Sequence, residues 1–144
     1  MESIRLKARA KINLGLDVLR KREDGYHDVR MVMQTIGIYD TLTITKIPEE
    51  DIRIKSNLFF LPVNENNLIY KAAKLLKDRF DFAGGVEIDL NKFIPVSAGL
   101  AGGSTDAAST LFGINRLFDL GLSTKDLMEL GVSIGADVPY CVMR

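Results

Sequence analysis

The densest group of residues able to do chemistry is the stretch Pro-Val-Ser-Ala-Gly-Leu-Ala-Gly-Gly-Ser-Thr-Asp-Ala-Ala at positions 95–108. Its glycines, at positions 99, 102 and 103, lack a Cβ, so the backbone there can turn tightly and approach a ligand closely. Ser104 and Thr105 stand where a helix is predicted to begin, and the free N–H groups and positive end of that helix would face the same point. This combination predicts a site for an anion, and a polyphosphate fits it well.

The spacing of the glycines excludes two common phosphate-binding motifs. No Gly-Lys-Ser or Gly-Lys-Thr ends the stretch, as a P-loop requires, and the glycines do not follow the pattern G-x-G-x-x-G. The alternative interpretation is that the small residues only let a helix pack closely against a strand. The two hydroxyls at the predicted helix start favour ligand binding over packing alone.

A carboxylate and an ammonium group form a second candidate site. Asp137, in Gly-Ala-Asp-Val-Pro (135–139), stands at a predicted helix-to-strand junction, before a proline that stiffens the backbone. Beside a phosphate site it would be a candidate base for a substrate hydroxyl or a ligand for Mg²⁺; the alternative is an ordinary turn aspartate. Lys11, if it lay nearby, would favour the ionised carboxylate and neutralise a phosphoryl group in transfer. The alternative for Lys11 is a solvated surface lysine.

Lys11 also ends a row of cations at every second position, after Arg5, Lys7 and Arg9. On a continuous strand these four side chains share one face, because side chains alternate between the two faces. For the first three we expect a solvated basic edge of a sheet.

A third candidate is the tripeptide Gly25-Tyr26-His27, which contains the only histidine of the chain and lies in a predicted polar turn. A tyrosine next to a histidine can stack on a base or sugar ring and hydrogen-bond to it. The alternative is an aromatic residue of an ordinary turn.

The elements that would position these residues follow from hydrophobic periodicity and from cap signals. Asn66 or Asn67 is a predicted helix N-cap, and Ser123 is another, with Asp126 in a capping box. A strand-rich first half followed by helices with interleaved strands predicts the α+β class. The predicted strands are residues 4–19 (one or two strands), 29–38, 41–47, 52–56, 86–90 and 138–143, and the predicted helices end near residues 80, 118 and 134.

Composition excludes several classes of protein. With 144 residues, 47% of them hydrophobic and 26% charged, the chain has the make-up of one globular domain or part of a larger one. A net charge of zero argues against nucleic acid and anionic membranes as partners. Cys141 is the only cysteine, and no signal peptide or membrane span is evident, so we expect a cytoplasmic protein.

The motifs occur in the order Ala-Lys-Ile-Asn-Leu, Gly-Tyr-His, the glycine stretch and Gly-Ala-Asp-Val-Pro, and this order resembles the GHMP kinases. Within that family the chain is similar to the kinases that phosphorylate 4-diphosphocytidyl-2-C-methyl-D-erythritol in non-mevalonate isoprenoid (terpenoid) biosynthesis. The glycine stretch identifies the superfamily, while Gly25–His27 and Ala10–Leu14 narrow it to the kinases of the cytidyl substrate. The resemblance implies a GHMP N-terminal domain over residues 1–144, with a mixed or antiparallel sheet and helices packed on one face.

The resemblance also implies an ATP-dependent transfer to the 2-hydroxyl of that substrate, with a role for each matching residue. Lys11 and Asp137 would form the catalytic pair, in which Asp137 accepts the hydroxyl proton and Lys11 orients it and stabilises charge. Asn13 would lie near the polar tail of the substrate, Tyr26 would stack on cytosine and His27 would read its hydrogen-bonding edge. Ser104 or Thr105 would help to position Mg²⁺. The residues expected to wrap the ATP phosphates are Pro95, Val96, Ser97, Ala98, Gly99, Leu100, Ala101, Gly102, Gly103, Ser104 and Thr105.

Two departures from the family pattern qualify these expectations. The family loop often has glycines where this chain has Ser97-Ala98, which are also small. Members of the family are about twice as long, as two domains of typical size. We therefore expect a truncated chain that holds one wall of the active cleft, has weak activity or none, and self-associates through the apolar face that the missing half would cover. The alternatives are another GHMP kinase, of the mevalonate or homoserine type, and an inactive nucleotide-binding fragment.

Overall fold

A computed structural model describes residues 1–21, 27–96 and 101–143, with residues 12–21 and 27–36 described by their backbone. The elements are β1 (Ser3–Lys21), β2 (His27–Ile47), β3 (Ile52–Ser56), α1 (Leu68–Phe80), β4 (Gly85–Asn91), α2 (Gly102–Leu117), α3 (Thr124–Val132) and α4 (Val138–Met143).

The four strands form one mixed sheet in the order β1-β2-β4-β3. β2 pairs antiparallel with both β1 and β4, whereas β3 pairs parallel with β4. The two strands predicted at 29–38 and 41–47 are in fact one strand, because no glycine or proline separates Ile38 from Thr41 to end it. The predicted α+β class and mixed sheet are confirmed.

The sheet has one apolar face, and the helices lie on it. Leu42, Ile44, Ile88 and Leu90 alternate along the two central strands and are fully buried, together with Leu111 and Ile114 of α2. Residues between them, such as Thr43 and Asp89, lie on the other face and are half-buried or exposed. This alternation is what one covered face requires, and it confirms the predicted placement of the helices.

Local capping sets where the helices begin. The Asn67 side chain accepts a hydrogen bond from the Ile69 N–H, and Ser123 and Asp126 form the reciprocal bonds of a capping box. Both caps confirm the sequence prediction. They follow directly from side chains that satisfy the free N–H groups of a first helical turn.

The predicted buried strand at residues 138–143 is wrong, because this segment is the helix α4. Its buried residues are Val138 and Cys141, three positions apart, which is helical and not strand spacing. Pro139 is tolerated because it lies in the first turn, where no N–H partner within the helix is needed. The Cys141 N–H donates to the Asp137 carbonyl oxygen at 3.2 Å.

The row of basic residues on β1 does not share one face along its whole length. Arg5 and Lys7 are exposed and Arg9 is half-buried, as expected for a basic edge strand. Lys11 is only 4% exposed. The register between β1 and β2 shifts between Arg9 and Lys11, and such an irregularity breaks the alternation of side chains. The shift accounts for a buried Lys11 at the end of a solvated row.

A substitution of Gly131 tests the packing of α3 against α4. A Cβ on Gly131 would lie 2.8 Å from Val138 Cγ1 and 3.4 Å from Val138 Cβ. Val138 is fully buried and β-branched, so it cannot rotate away. We expect Gly131→Ala to lower the free energy of unfolding by about 1–3 kcal/mol, measured by urea denaturation. Gly103→Ala is the matched control, since a Cβ there has only an ordinary contact of 3.5 Å with Leu68. An equal loss of unfolding free energy in both variants would contradict the close packing at Gly131.

Candidate active site

The glycine stretch ends in a helix start that has no side-chain cap. Ala101, the N-cap residue of α2, has a left-handed backbone (φ 56°), and no side-chain hydrogen bond caps the helix. The Thr105 N–H donates to the Ala101 carbonyl oxygen at 2.9 Å, while the three preceding N–H groups have no acceptor within the helix. The first turn of α2 also contains no acidic residue. The positive end of this helix is therefore available to an anion.

This helix start borders a cleft of about 370 Å³. Gly102, Gly103 and Ser104 line one side of it, with Lys92 and Asp106 beside them. Apolar side chains from the segment before α1, Leu61 and Pro62, also line it. A cleft with N–H groups at one part and apolar walls at another can hold a molecule that combines phosphates with a flat ring. Its remaining lining residues are Asn66, Asn67, Leu68, Pro95, Val96 and Ala101.

A buried network of charges lies beside this cleft. Lys92 Nζ donates to Asp40 Oδ2 at 2.7 Å and to Asp106 Oδ2 at 3.0 Å, and all three side chains are at most 5% exposed. Burial, together with hydrogen bonding to Asp40, raises the pKa of Asp106 well above its ordinary value. Burial opposes the ionisation of Asp40, but hydrogen bonds to Asp106, to Lys92 and to two backbone N–H groups lower its pKa overall. The ammonium group is thus paired mainly with an ionised Asp40.

Lys11 and Asp137 come together, as the sequence predicted they could. Lys11 Nζ lies 3.7 Å from Asp137 Oδ1. The Lys11 side chain is 5% exposed, whereas that of Asp137 is 44% exposed. Asp137 directly precedes α4, and Lys11 projects from β1, so the misassigned helix and the register shift both determine this pair. A buried cation beside an accessible carboxylate is suited to orient that carboxylate towards a substrate.

The structure describes the other predicted site residues only in part. Tyr26 and Ser97–Leu100 lie outside the described residues. Asn13 and His27 lie on paired strands, opposite Met33 and Lys21, respectively. Thr105 is fully buried and is not among the lining residues of the cleft, so the accessible hydroxyl at the helix start is that of Ser104. Lys11 and Asp137 do not line this cleft either.

Sequence reasoning missed Asp40, Lys92 and Asp106 as parts of the site. One signal was present: Asp40 stands in the middle of an apolar β pattern, where aspartate is uncommon. Lys92 likewise lies between apolar residues close to the glycine stretch. Both are charged residues in segments that must be buried, and such residues require a partner.

Two features are absent from the described residues. No group of three or more His, Cys, Asp or Glu in those parts of the chain has the geometry to hold a metal ion. No helix among them is long and apolar enough to cross a membrane.

Comparison with known proteins places this site in a family. Residues 67–144, more than half of the chain, match the family described as "GHMP kinases N terminal domain". The chain belongs to the GHMP kinases.

Two relatives of the chain have the name of one particular kinase. A protein of Lachnospira eligens named 4-diphosphocytidyl-2-C-methyl-D-erythritol kinase is 70% identical over 144 residues, which cover all of this chain and 50% of that protein. A protein of the same name from Bacillus subtilis is 55% identical over 136 residues, covering 94% of this chain and 47% of its own length. The chain therefore spans about half the length of these relatives.

Solved structures agree with this fold. A crystal structure of 4-(cytidine 5'-diphospho)-2C-methyl-D-erythritol kinase matches with a TM-score of 0.84 and 35% identity, over 97% of this chain and 49% of the other. Homoserine kinase from Cytophaga hutchinsonii matches with a TM-score of 0.73 and 18% identity, over 93% of this chain and 41% of the other. The second likeness concerns the fold alone.

Proposed function

We propose that this chain supplies the ATP-binding part and the catalytic pair of a kinase for the 2-hydroxyl of 4-diphosphocytidyl-2-C-methyl-D-erythritol. The observation that carries the proposal is the uncapped, acid-free start of α2 at the cleft, in a chain 70% identical to a relative with that name. The reaction places the protein in isoprenoid precursor biosynthesis, and we propose a cytoplasmic location.

The ATP phosphates would lie against the N–H groups of Gly102, Gly103 and Ser104. These groups supply fixed positive charge where negative charge concentrates during phosphoryl transfer. The apolar side chains of Leu61 and Leu68, which also line the cleft, would hold the adenine ring. The residues Pro95–Thr105 would together surround the phosphates. Thr105 would contribute to this by ordering the backbone.

Mg²⁺ fits this site through one protein oxygen. The ion is usually bound by one or two protein groups together with substrate phosphates, so the lack of a larger cluster among the described residues suits it. Ser104, half-buried in the cleft, is the residue that would hold it. When bound, the ion neutralises charge on the transferring phosphoryl group.

Asp137 and Lys11 would perform the proton transfer. In this proposal the exposed Asp137 carboxylate accepts the proton of the substrate hydroxyl as that oxygen attacks the γ-phosphorus of ATP, whose bond to the β,γ-bridging oxygen breaks so that ADP leaves. Lys11 holds the carboxylate in place and stabilises charge that develops on the phosphoryl group. Tyr26 would stack on the cytosine of the substrate, His27 would hydrogen-bond to its edge, and Asn13 would contact the polar tail.

A substitution of Gly103 tests the proposed nucleotide site. In this proposal a side chain at Gly103 would project where the phosphates must approach, and its nearest atom among the described residues is Leu68 Cδ1, at 3.5 Å from the Cβ position. We expect Gly103→Val to weaken ATP binding by roughly tenfold or more, measured by isothermal titration calorimetry, with an unchanged melting temperature. The control is Ser133→Ala, at the exposed end of α3. Gly121→Ala would not serve, because the φ of 73° at Gly121 strains any side chain. Equal ATP affinity in Gly103→Val and the parent chain would refute the phosphate site.

A further inference from the structure

Asp40 joins the two ends of the glycine stretch, although it is more than fifty residues away from it in the chain. Its Oδ1 accepts hydrogen bonds from the Phe93 N–H at 2.6 Å and from the Ile94 N–H at 2.7 Å. These two residues lead from β4 into the stretch. The same carboxylate, through Oδ2, accepts a hydrogen bond from Lys92 Nζ.

Lys92 carries this connection to the other end of the stretch. Its ammonium group also donates to Asp106, in the second turn of α2. It lies beneath the first turn as well, since a Cβ on Gly102 would be 2.7 Å from Lys92 Nζ and 3.2 Å from Ile94 Cγ2. The entering segment and the departing helix are thus in contact with each other and with one buried ion pair.

A second clamp acts on the same segment. The Lys92 N–H donates to Asn57 Oδ1 at 2.7 Å, and Asn57 Nδ2 donates to the Lys92 carbonyl oxygen at 3.0 Å. Side chains from distant parts of the sheet therefore fix the backbone just before the stretch. A buried hydrogen-bonded network of this kind restrains the segments that it joins, although Asp106 Oδ1 is buried without a hydrogen-bond partner.

We propose that Asp40 is a positioning residue for the start of α2: its one carboxylate fixes the backbone at Phe93 and Ile94 and, through Lys92, the first two turns of the helix. The N–H groups of Gly102, Gly103 and Ser104 are thereby held in place before ATP arrives, which spares the binding energy that ordering them would cost. This inference rests on the proposed function, because it assigns Asp40 a part in presenting those groups to a nucleotide.

Amide hydrogen exchange of the ligand-free chain, followed by NMR, tests the positioning without ATP. In Asp40→Asn the amide group of the new side chain would face the Lys92 ammonium, so we expect exchange about tenfold faster at Ile94 and at Gly102–Ser104. Asp106→Leu removes only the link to α2 and keeps the Asp40–Lys92 pair. It should accelerate exchange at Gly102–Ser104 and leave Ile94 unchanged, and it keeps the test valid if Asp40→Asn does not fold.

A matched control separates positioning from loss of stability. Leu117→Ala, at the opposite end of α2, removes a side chain that is 3% exposed and should lower the melting temperature without changing exchange at these amides. Isothermal titration calorimetry below all the melting temperatures should then show ATP binding weakened roughly tenfold in Asp40→Asn and unchanged in Leu117→Ala. Unchanged exchange in both Asp40→Asn and Asp106→Leu would overturn the inference. Faster exchange with no ATP binding by the parent chain would support the clamp and reject the proposed function instead.

Discussion

Asp137→Asn is expected to lower the rate of phosphoryl transfer by about 10²–10⁴-fold while leaving ATP binding intact. An amide cannot accept the proton of the substrate hydroxyl, and loss of a general base costs about 10²–10⁴-fold in rate. The substitution keeps the shape of a side chain that is 44% exposed, and Asp137 does not line the glycine cleft, so neither the fold nor the nucleotide site should change. The rate is measured in single-turnover reactions with radiolabelled ATP, Mg²⁺ and 4-diphosphocytidyl-2-C-methyl-D-erythritol.

Asp89→Asn is the control for this experiment. Asp89 is an exposed aspartate of β4 on the face of the sheet opposite the helices, so its substitution makes the same chemical change away from the site. It should retain the parent rate. Full activity in Asp137→Asn would place the catalytic base on another residue.

Lys11→Met is expected to lower the transfer rate about 10²–10³-fold, the usual cost of removing one electrostatic stabiliser of a transition state. The substitution should lower the transfer rate without lowering the stability of the fold. Lys11 is 5% exposed, and among the side chains that the structure describes its ammonium group is paired with one carboxylate, 3.7 Å away, so these contacts offset little of the cost of desolvating this charge. A methionine fills similar space without that charge, and the free energy of unfolding should stay equal or rise.

The two measurements for Lys11 are the single-turnover rate and urea denaturation. Lys7→Met, on the same strand but exposed, is the matched control and should alter neither quantity by much. A Lys11→Met chain that is strongly destabilised would show that the lysine serves the fold; one with the parent rate would remove Lys11 from the chemistry.

The parts of the fold set by local sequence were predictable. Asn67 and Ser123 cap helices because their side chains satisfy nearby N–H groups, and that requirement is visible in a few adjacent residues. Alternation of Val86, Ile88 and Leu90 similarly identified β4. The short segment after Asp137 was misassigned because six apolar residues carry too little periodicity to distinguish a buried strand from a helix.

The candidate site was predictable only where its residues lie close together in the chain. Glycines and hydroxyls at the start of α2 form a local pattern. In contrast, the clamp formed by Asp40 and Lys92 depends on the pairing of β2 with β4, and burial of Lys11 depends on the register shift between Arg9 and Lys11. Long-range pairing of this kind is set by the whole sheet, so the local sequence can show that a charge is unusual but not which partner it takes.

An NMR titration of ATP and Mg²⁺ into the isotopically labelled chain tests the central claim, that the start of α2 is a nucleotide site. We predict saturable shifts of the Gly102, Gly103 and Ser104 amide signals and of the side-chain amide of Asn67, which also lines the cleft, all of them absent in Gly103→Val. Amide signals at the start of α2 that stay in place at saturating ATP, or shifts that persist in Gly103→Val, would contradict the account.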